Sequence, residues 1–166
     1  MLALVLGMTF GFAASPKKAA KKQKQQRVGL LAKSAAQGNV AELEILLQKK
    51  KADGSKYFSQ RNYDGAMLMA AKACQLATLQ VFFEPKYEIT FKDVVLQQAE
   101  ANASNTRWSK QYYNESFGEG VVRKTHDKTP QQLAAEQKPC DEVISFLEAK
   151  QVEKTVGKKL KKDKEK

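Results

Sequence analysis

Two cysteines, one histidine and one tryptophan are all that this 166-residue chain holds of those residue types. Cys74 and Cys140 are too few for a disulfide framework. With His126 as the only histidine, too few ligands remain for a metal centre of the usual His/Cys kind. The same shortage bears on catalysis, because a nucleophile triad needs a base and an orienting group beside a serine or cysteine. His126 stands alone, in the turn Lys124-Thr-His-Asp-Lys128. Gly118-Glu-Gly120 lacks the further Gly, Lys and Ser/Thr of a phosphate-cradling loop. No catalytic residue, metal or cofactor is expected, and the chain is not expected to be an enzyme.

Acid is missing from the first stretch. Residues 1–27 hold six basic residues and no acid, and residues 149–166 hold eight lysines against three acids. Residues 28–148 hold fifteen of each, so the net charge of +11 lies in two tails around a neutral body. Lysine tails of this kind are solvated and disordered. They can also hold RNA, DNA or an anionic lipid surface through counterion release.

A basic residue is also missing ahead of the apolar run that ends at Ala14. The run has the length of a signal-peptide core and is too short to span a bilayer. Gly11 and Ala13 suit a cut after Ala13. Residues 1–14 are therefore expected to be a signal peptide, with an uncleaved apolar anchor as the alternative. Export to a periplasm or to the outside follows from the first; membrane anchoring or a cytoplasmic location follows if it fails. Residues 15–27 read as a basic linker and residues 151–166 as a lysine-rich disordered tail.

The body repeats itself. Leu31, Ala32 and Ala35 form one helix face, Gly38-Asn39 a bend, and Val40, Leu43, Leu46 and Leu47 a second face. At an offset of 36, Val40 falls on Leu76, Leu43 on Leu79, Ile45-Leu46-Leu47 on Val81-Phe82-Phe83, and Ala35 on Ala71. Asn62-Tyr63-Asp64-Gly65 reads as the turn before that second pair. In a third, weaker pair, Phe91, Val94, Val95 and Ala99 make the first helix. Asn102–Thr106 is a polar loop. Trp108, Tyr112, Tyr113 and Phe117 make the second helix, which ends at Gly118. A fourth unit starts at Thr129-Pro130, where a hydroxyl cap precedes a proline that fits the first helical position. It bends at Lys138-Pro139 and continues with Val143, Ile144, Phe146 and Leu147. With Cys74 and Cys140 two units apart, about 20 Å would separate them at the spacing of packed helices, beyond disulfide reach. Both read as small buried fillers.

These residues resemble the ankyrin repeat, a β-turn plus two antiparallel helices over about 33 residues with a Thr-Pro-Leu-His-x-Ala start. Thr129-Pro130 with Leu133-Ala134-Ala135 matches the first helix of that unit. Asp141–Ile144 with Phe146-Leu147-Glu148 matches its second. Ala52-Asp53 resembles its closing Gly-Ala-Asp. Gln131-Gln132 stands where the family has Leu-His, and Lys138-Pro139 where it has the bend glycine. The expected fold is all-α: an ankyrin-like α-solenoid of about four helix-turn-helix repeats over residues 28–150, with flexible basic tails. Another helical repeat or an irregular helical bundle remains open.

The resemblance implies a monomeric protein-binding scaffold whose turn tips and first-helix faces form the partner surface. Here those are Gln60–Ala66, Gln97–Glu100 and Lys124–Gln132, with Tyr63, Asp64, Gln97, Trp108, Tyr112, His126 and Asp127 as candidate partner-binding residues. The alternative is a binder of nucleic acid or anionic surfaces through the lysine-rich tails.

Overall fold

A computed structural model describes the backbone of residues 16–164 apart from 118 and 119, and the side chains of residues 25–112 and 121–157. The apolar run at 1–14 lies outside the described residues. The chain is mostly helical. In order, it runs through α1 (Pro16–Ala36), α2 (Val40–Leu47), α3 (Gln60–Lys72), α4 (Leu76–Phe82), a 3₁₀ turn (Pro85–Tyr87), α5 (Asp93–Gln111), β1 (Tyr112–Phe117), β2 (Gly120–Thr125) and α6 (Pro130–Lys164).

The first two helix pairs are built alike. Each first helix ends on a residue in the left-handed region, Gly38 at φ 72° and Cys74 at φ 53°. In each, the amide after that residue reaches back across the turn. Asn39 N donates to Ser34 O and Gln75 N to Ala70 O, both at 3.0 Å. This is the helix-closing pattern in which a left-handed residue lets the last carbonyls find donors. Asn39 Oδ1 then accepts from Glu42 N at 3.2 Å and caps α2. Helices α2 and α4 therefore start at the matched positions 40 and 76.

Helix α3 packs against both α1 and α5, while α4 packs against both α2 and α6, so two layers form. The core lies between them. Leu31 and Ala35 of α1, Met67, Ala70 and Ala71 of α3, and Ala99 and Ala103 of α5 meet Leu43, Leu46, Leu79, Phe82, Val143 and Leu147. The alanines keep the first-layer helices close. Thr78, fully buried in α4, donates to Ala35 O at 2.9 Å and ties the second pair to the first. Lys86 and Tyr87, after α4, both reach Glu44 of α2, at 2.9 and 3.3 Å.

Several expectations are corrected. The turn at Asn62–Gly65 is the first stretch of α3, which starts after Ser59, whose backbone N–H donates to Asn62 Oδ1 at 3.1 Å. Asn102–Thr106 is helical, because its polar side chains serve the neighbouring helix. Thr106 Oγ1 donates to Lys72 O at 2.7 Å and Asn102 Nδ2 to Leu68 O at 3.5 Å. The second helix expected from Trp108 to Phe117 is replaced from Tyr112 onward by a strand, paired antiparallel with β2 from Tyr112↔Thr125 to Phe117↔Gly120. Aromatic residues on one side and Val121-Val122 on the other favour that hairpin.

The expected bend at Lys138-Pro139 is also absent. Helix α6 runs through Pro139, which is exposed, and so is Ala135, whose carbonyl loses its donor there. That carbonyl belongs to an exposed stretch, and the flanking turns are anchored by buried Gln137, Cys140, Val143 and Leu147. Its start is as expected: Gln132 N donates to Thr129 Oγ1 at 3.2 Å, and Thr129 N to Gln132 Oε1 at 2.9 Å.

Since α6 is one helix lying beside both α4 and α5, the fourth unit does not exist as a separate pair. That brings Cys140 next to the α3–α4 turn, and Cys74 and Cys140 form a disulfide with 4.7 Å between their Cα atoms. The separation expected from the sequence counted one unit too many. The boundaries shift too. Helix α1 begins at Pro16, well before residue 28, and α6 extends to Lys164 where a disordered tail was expected. Runs of Ala, Lys and Gln are good helix formers, and Pro16 sits at a first helical position.

Candidate functional site

One face of the α1–α3–α5 layer is left open, and it is built largely by α3. Arg61, Gly65, Leu68, Met69 and Lys72 recur at helical spacing, so they form one stripe along that helix. Its opposite stripe, with Tyr63, Met67, Ala70 and Ala71, is in the core. Val28 and Ala32 of α1 line the other wall of a groove of about 440 Å³, over Gly65, Leu68 and Met69. Met69 is 44% exposed. A Cβ placed on Gly65 would meet nothing within 4 Å, so the groove is open above it.

Between α3 and α5 a second, polar groove of about 370 Å³ is lined by Lys72, Asn102, Asn105, Thr106 and Ser109. Asn102 lines both grooves. The face thus changes from aliphatic to amide and hydroxyl across α3, with a cation at each end of the stripe.

The residues expected to meet a partner do not lie together. Tyr63 is corrected outright: it is 2% exposed and packs edge-on against Phe58 at 6.0 Å, so it belongs to the core. Burial pushes its phenol above the usual tyrosine range. Asp64 is half-buried and accepts from Gln60 Nε2 at 2.8 Å, while Gln60 also donates to Thr90 O, so this end of α3 is tied to the loop before α5. Gln97 is exposed on α5.

Trp108 and Tyr112 pack with ring centroids 5.0 Å apart and planes tilted by 40° where α5 passes into β1, and the Arg123 guanidinium lies 4.4 Å from the Trp108 ring centroid. This joins the hairpin to α5 while leaving Trp108 39% exposed. His126 and Asp127 lie past β2. His126 N donates to Gln111 O at 2.9 Å, and the ring lines a small polar cavity with Lys110, Thr125 and Lys128. Lys128 donates to Glu136 at 2.6 Å and to Lys110 O at 3.2 Å. That first contact holds the Glu136 carboxyl below its ordinary range.

The expected partner surface at Gln60–Ala66 includes Arg61 and Gly65 of this stripe, but reading residues 62–65 as a turn hides its continuation through Leu68, Met69 and Lys72. The signal was present: Arg61, Gly65, Leu68 and Lys72 lie at spacings of four, three and four. Among the described residues, no three His, Cys, Asp or Glu side chains gather where they could hold a metal ion. No helix among them is long and apolar enough to cross a membrane. No known protein family, curated protein or solved structure matches this chain.

Proposed function

We propose that the chain is a non-enzymatic protein-binding module, an ankyrin-like stack of helix pairs that works outside the reducing cytosol. The observation that carries this is the open face of α1, α3 and α5, an aliphatic groove beside a polar one on a rigid helical layer. A surface of that kind positions a partner without chemistry of its own. The stacking reading draws on the start positions of α3 and α5, which are 60 and 93, one repeat length of about 33 residues apart. It also draws on the loop between α2 and α3. There Lys50 and Lys56 pair across a tight turn with Gly54 at φ 78°, in the place of the family's β-turn. The number of pairs is three, with β1 and β2 inserted in the last.

The Cys74–Cys140 disulfide supports the compartment. Structural disulfides persist in oxidising surroundings such as a periplasm or the extracellular space. Titration of free thiols on protein taken from its source, unfolded without reductant, is expected to find none. Two free thiols would remove this support.

The function is tested by photo-crosslinking from Met69 on the open face and from Ile45, which is 60% exposed on the α2 side. A partner crosslinked from position 69 and not from 45, and retained in moderate salt, is the expected result. Binding lost entirely at moderate salt, or on removal of the lysine-rich ends, would instead make the chain a tail-driven binder of nucleic acid or anionic surfaces.

A further inference from the structure

We propose that the groove along α3 takes an acidic amphipathic helix of a partner protein. Its apolar side would lie over Gly65 and Met69, and its carboxylates would meet Arg61 and Lys72. The inference rests on the protein-binding reading above and adds the chemistry of the partner.

Charge carries the first half of the argument. Arg61 and Lys72 are exposed, and no ion pair or hydrogen bond engages either side chain among the described residues. Four other cations of the fold are paired, although exposed lysines such as Lys33 and Lys92 are not, among the described residues. Lys86 pairs with Glu44, Lys128 with Glu136, Lys154 with Asp93 and Arg107 with Asp141. No acid lines either groove of the open face. Asp64, the nearest in sequence, is held by Gln60. Arg61 lines the aliphatic groove and Lys72 the polar one beside it, so the open face carries a cation at each end of the α3 stripe and no acid in either groove, a pattern that a partner's carboxylates would complete.

Shape carries the second half. Arg61 and Lys72 are eleven residues apart on one stripe, about 16 Å or three helical turns. Ala32 and Gly65 leave the groove floor low, which allows a helix to approach closely. Val28, Leu68 and Met69 then offer contacts to apolar anchors at spacings of three and four, the helix-in-groove mode. Methionine adapts to irregular anchors. A single strand held by base stacking would instead need aromatic faces, and no aromatic side chain lines this groove.

The test uses the full chain and synthetic peptides of about 20 residues. One is an amphipathic helix with Leu and Met anchors and Glu flanks. A second has Lys in place of Glu, and a third has uncharged flanks. A uridine oligonucleotide and anionic phospholipid vesicles serve as the other classes of ligand. Affinity is read by fluorescence anisotropy, or by sedimentation for vesicles, at about 150 mM salt.

The acidic helix is expected to bind about tenfold or more tightly than the lysine helix. Gly65→Leu, which fills the groove, is expected to weaken it about tenfold. The double variant Arg61→Glu/Lys72→Glu is expected to reverse the preference, so that a gain for the lysine peptide shows the fold to be intact. Equal affinity for the acidic and uncharged peptides, with both lost in Gly65→Leu, would overturn the charge argument while leaving the protein-binding reading standing. Binding of the oligonucleotide or vesicles alone, unmoved by either variant, would overturn both.

Discussion

Gly38 and Cys74 hold the same place in successive helix turns, 36 residues apart, and both are left-handed. Glycine adopts that conformation without strain, whereas a residue with a Cβ pays about 1 kcal/mol or more. Cys74 is held there by the helix-closing turn, where Gln75 N donates to Ala70 O, and its bond to Cys140 closes a separation of 66 residues. Such a loop contributes about 2–4 kcal/mol, mainly by restricting the unfolded chain. The two halves of the bridge should therefore differ on mutation. Cys74→Gly loses the crosslink but relieves the left-handed strain. Cys140→Ala loses the crosslink, keeps the strain and leaves space at a site that is 1% exposed. Chemical denaturation without reductant should find Cys140→Ala less stable than Cys74→Gly by about 1 kcal/mol or more. Equal losses would mean that the turn at Cys74 is not strained.

That pair also shows what was legible in the sequence. Gly38-Asn39, the 36-residue offset, and the matched stripes Leu43/Leu46 and Leu79/Phe82 all report local helix periodicity, and the structure has them as read. Thr129-Pro130 is equally local. The misreadings share a different cause. Asn102 and Thr106 look like loop residues, but their side chains are spent on carbonyls of α3. Pro139 looks like a stop, but its flanks are anchored on both sides. Tyr63 looks like a turn tip because its neighbours are polar, yet it faces Phe58. In each case tertiary partners far along the chain override the local signal. The disulfide is hidden in the sequence for the same reason, since a count of repeats overstates the distance between Cys74 and Cys140. Of the open face, the individual residues were visible, but their common stripe depended on knowing that α3 begins before Arg61.

Thr78 is the polar link between the first two pairs. It is fully buried, and its hydroxyl lies 2.9 Å from Ala35 O and 3.1 Å from Gln75 O. Thr78→Val keeps the shape and removes the donor, leaving buried carbonyl oxygen short of a partner. Its expected cost is about 1–2 kcal/mol. Thr78→Ser keeps the donor and loses a methyl group, at about 1 kcal/mol. Urea titration at neutral pH checks both. A valine variant as stable as the parent would show that the hydroxyl does not link the pairs.

Glu44 gives the fold a dependence on pH. Its carboxyl is held below the ordinary range first by the hydrogen bond from Lys86 and then by the charge of that lysine. A carboxyl depressed in the folded state contributes stability that is present above its unfolded pKa, near 4.3. The contribution is lost as pH falls through the lower folded value. Glu44→Gln should therefore be less stable than the parent at pH 7, with the gap closing below about pH 4. Because the pair is exposed, added salt should shrink the gap at pH 7. A gap that persists unchanged at low pH would mean that packing of the side chain, and not its charge, is responsible.

Gly65 separates stability from binding on the open face. It lies inside α3, where a glycine costs about 0.5–1 kcal/mol relative to alanine through backbone entropy. Nothing stands within 4 Å of a Cβ placed there, and its φ is not in the left-handed region. Neither sterics nor backbone geometry therefore calls for glycine at this position. Gly65→Ala should stabilise the fold by about 0.5–1 kcal/mol, seen as a higher denaturation midpoint with an unchanged slope. The added methyl group also raises the groove floor between Ala32 and Met69. The same variant should therefore weaken a helix docked in that groove while strengthening the fold. Opposite signs in the two measurements would be hard to produce by local unfolding, which would lower both. A variant that gains stability and binds the acidic peptide as tightly as the parent would place the docked helix away from Gly65.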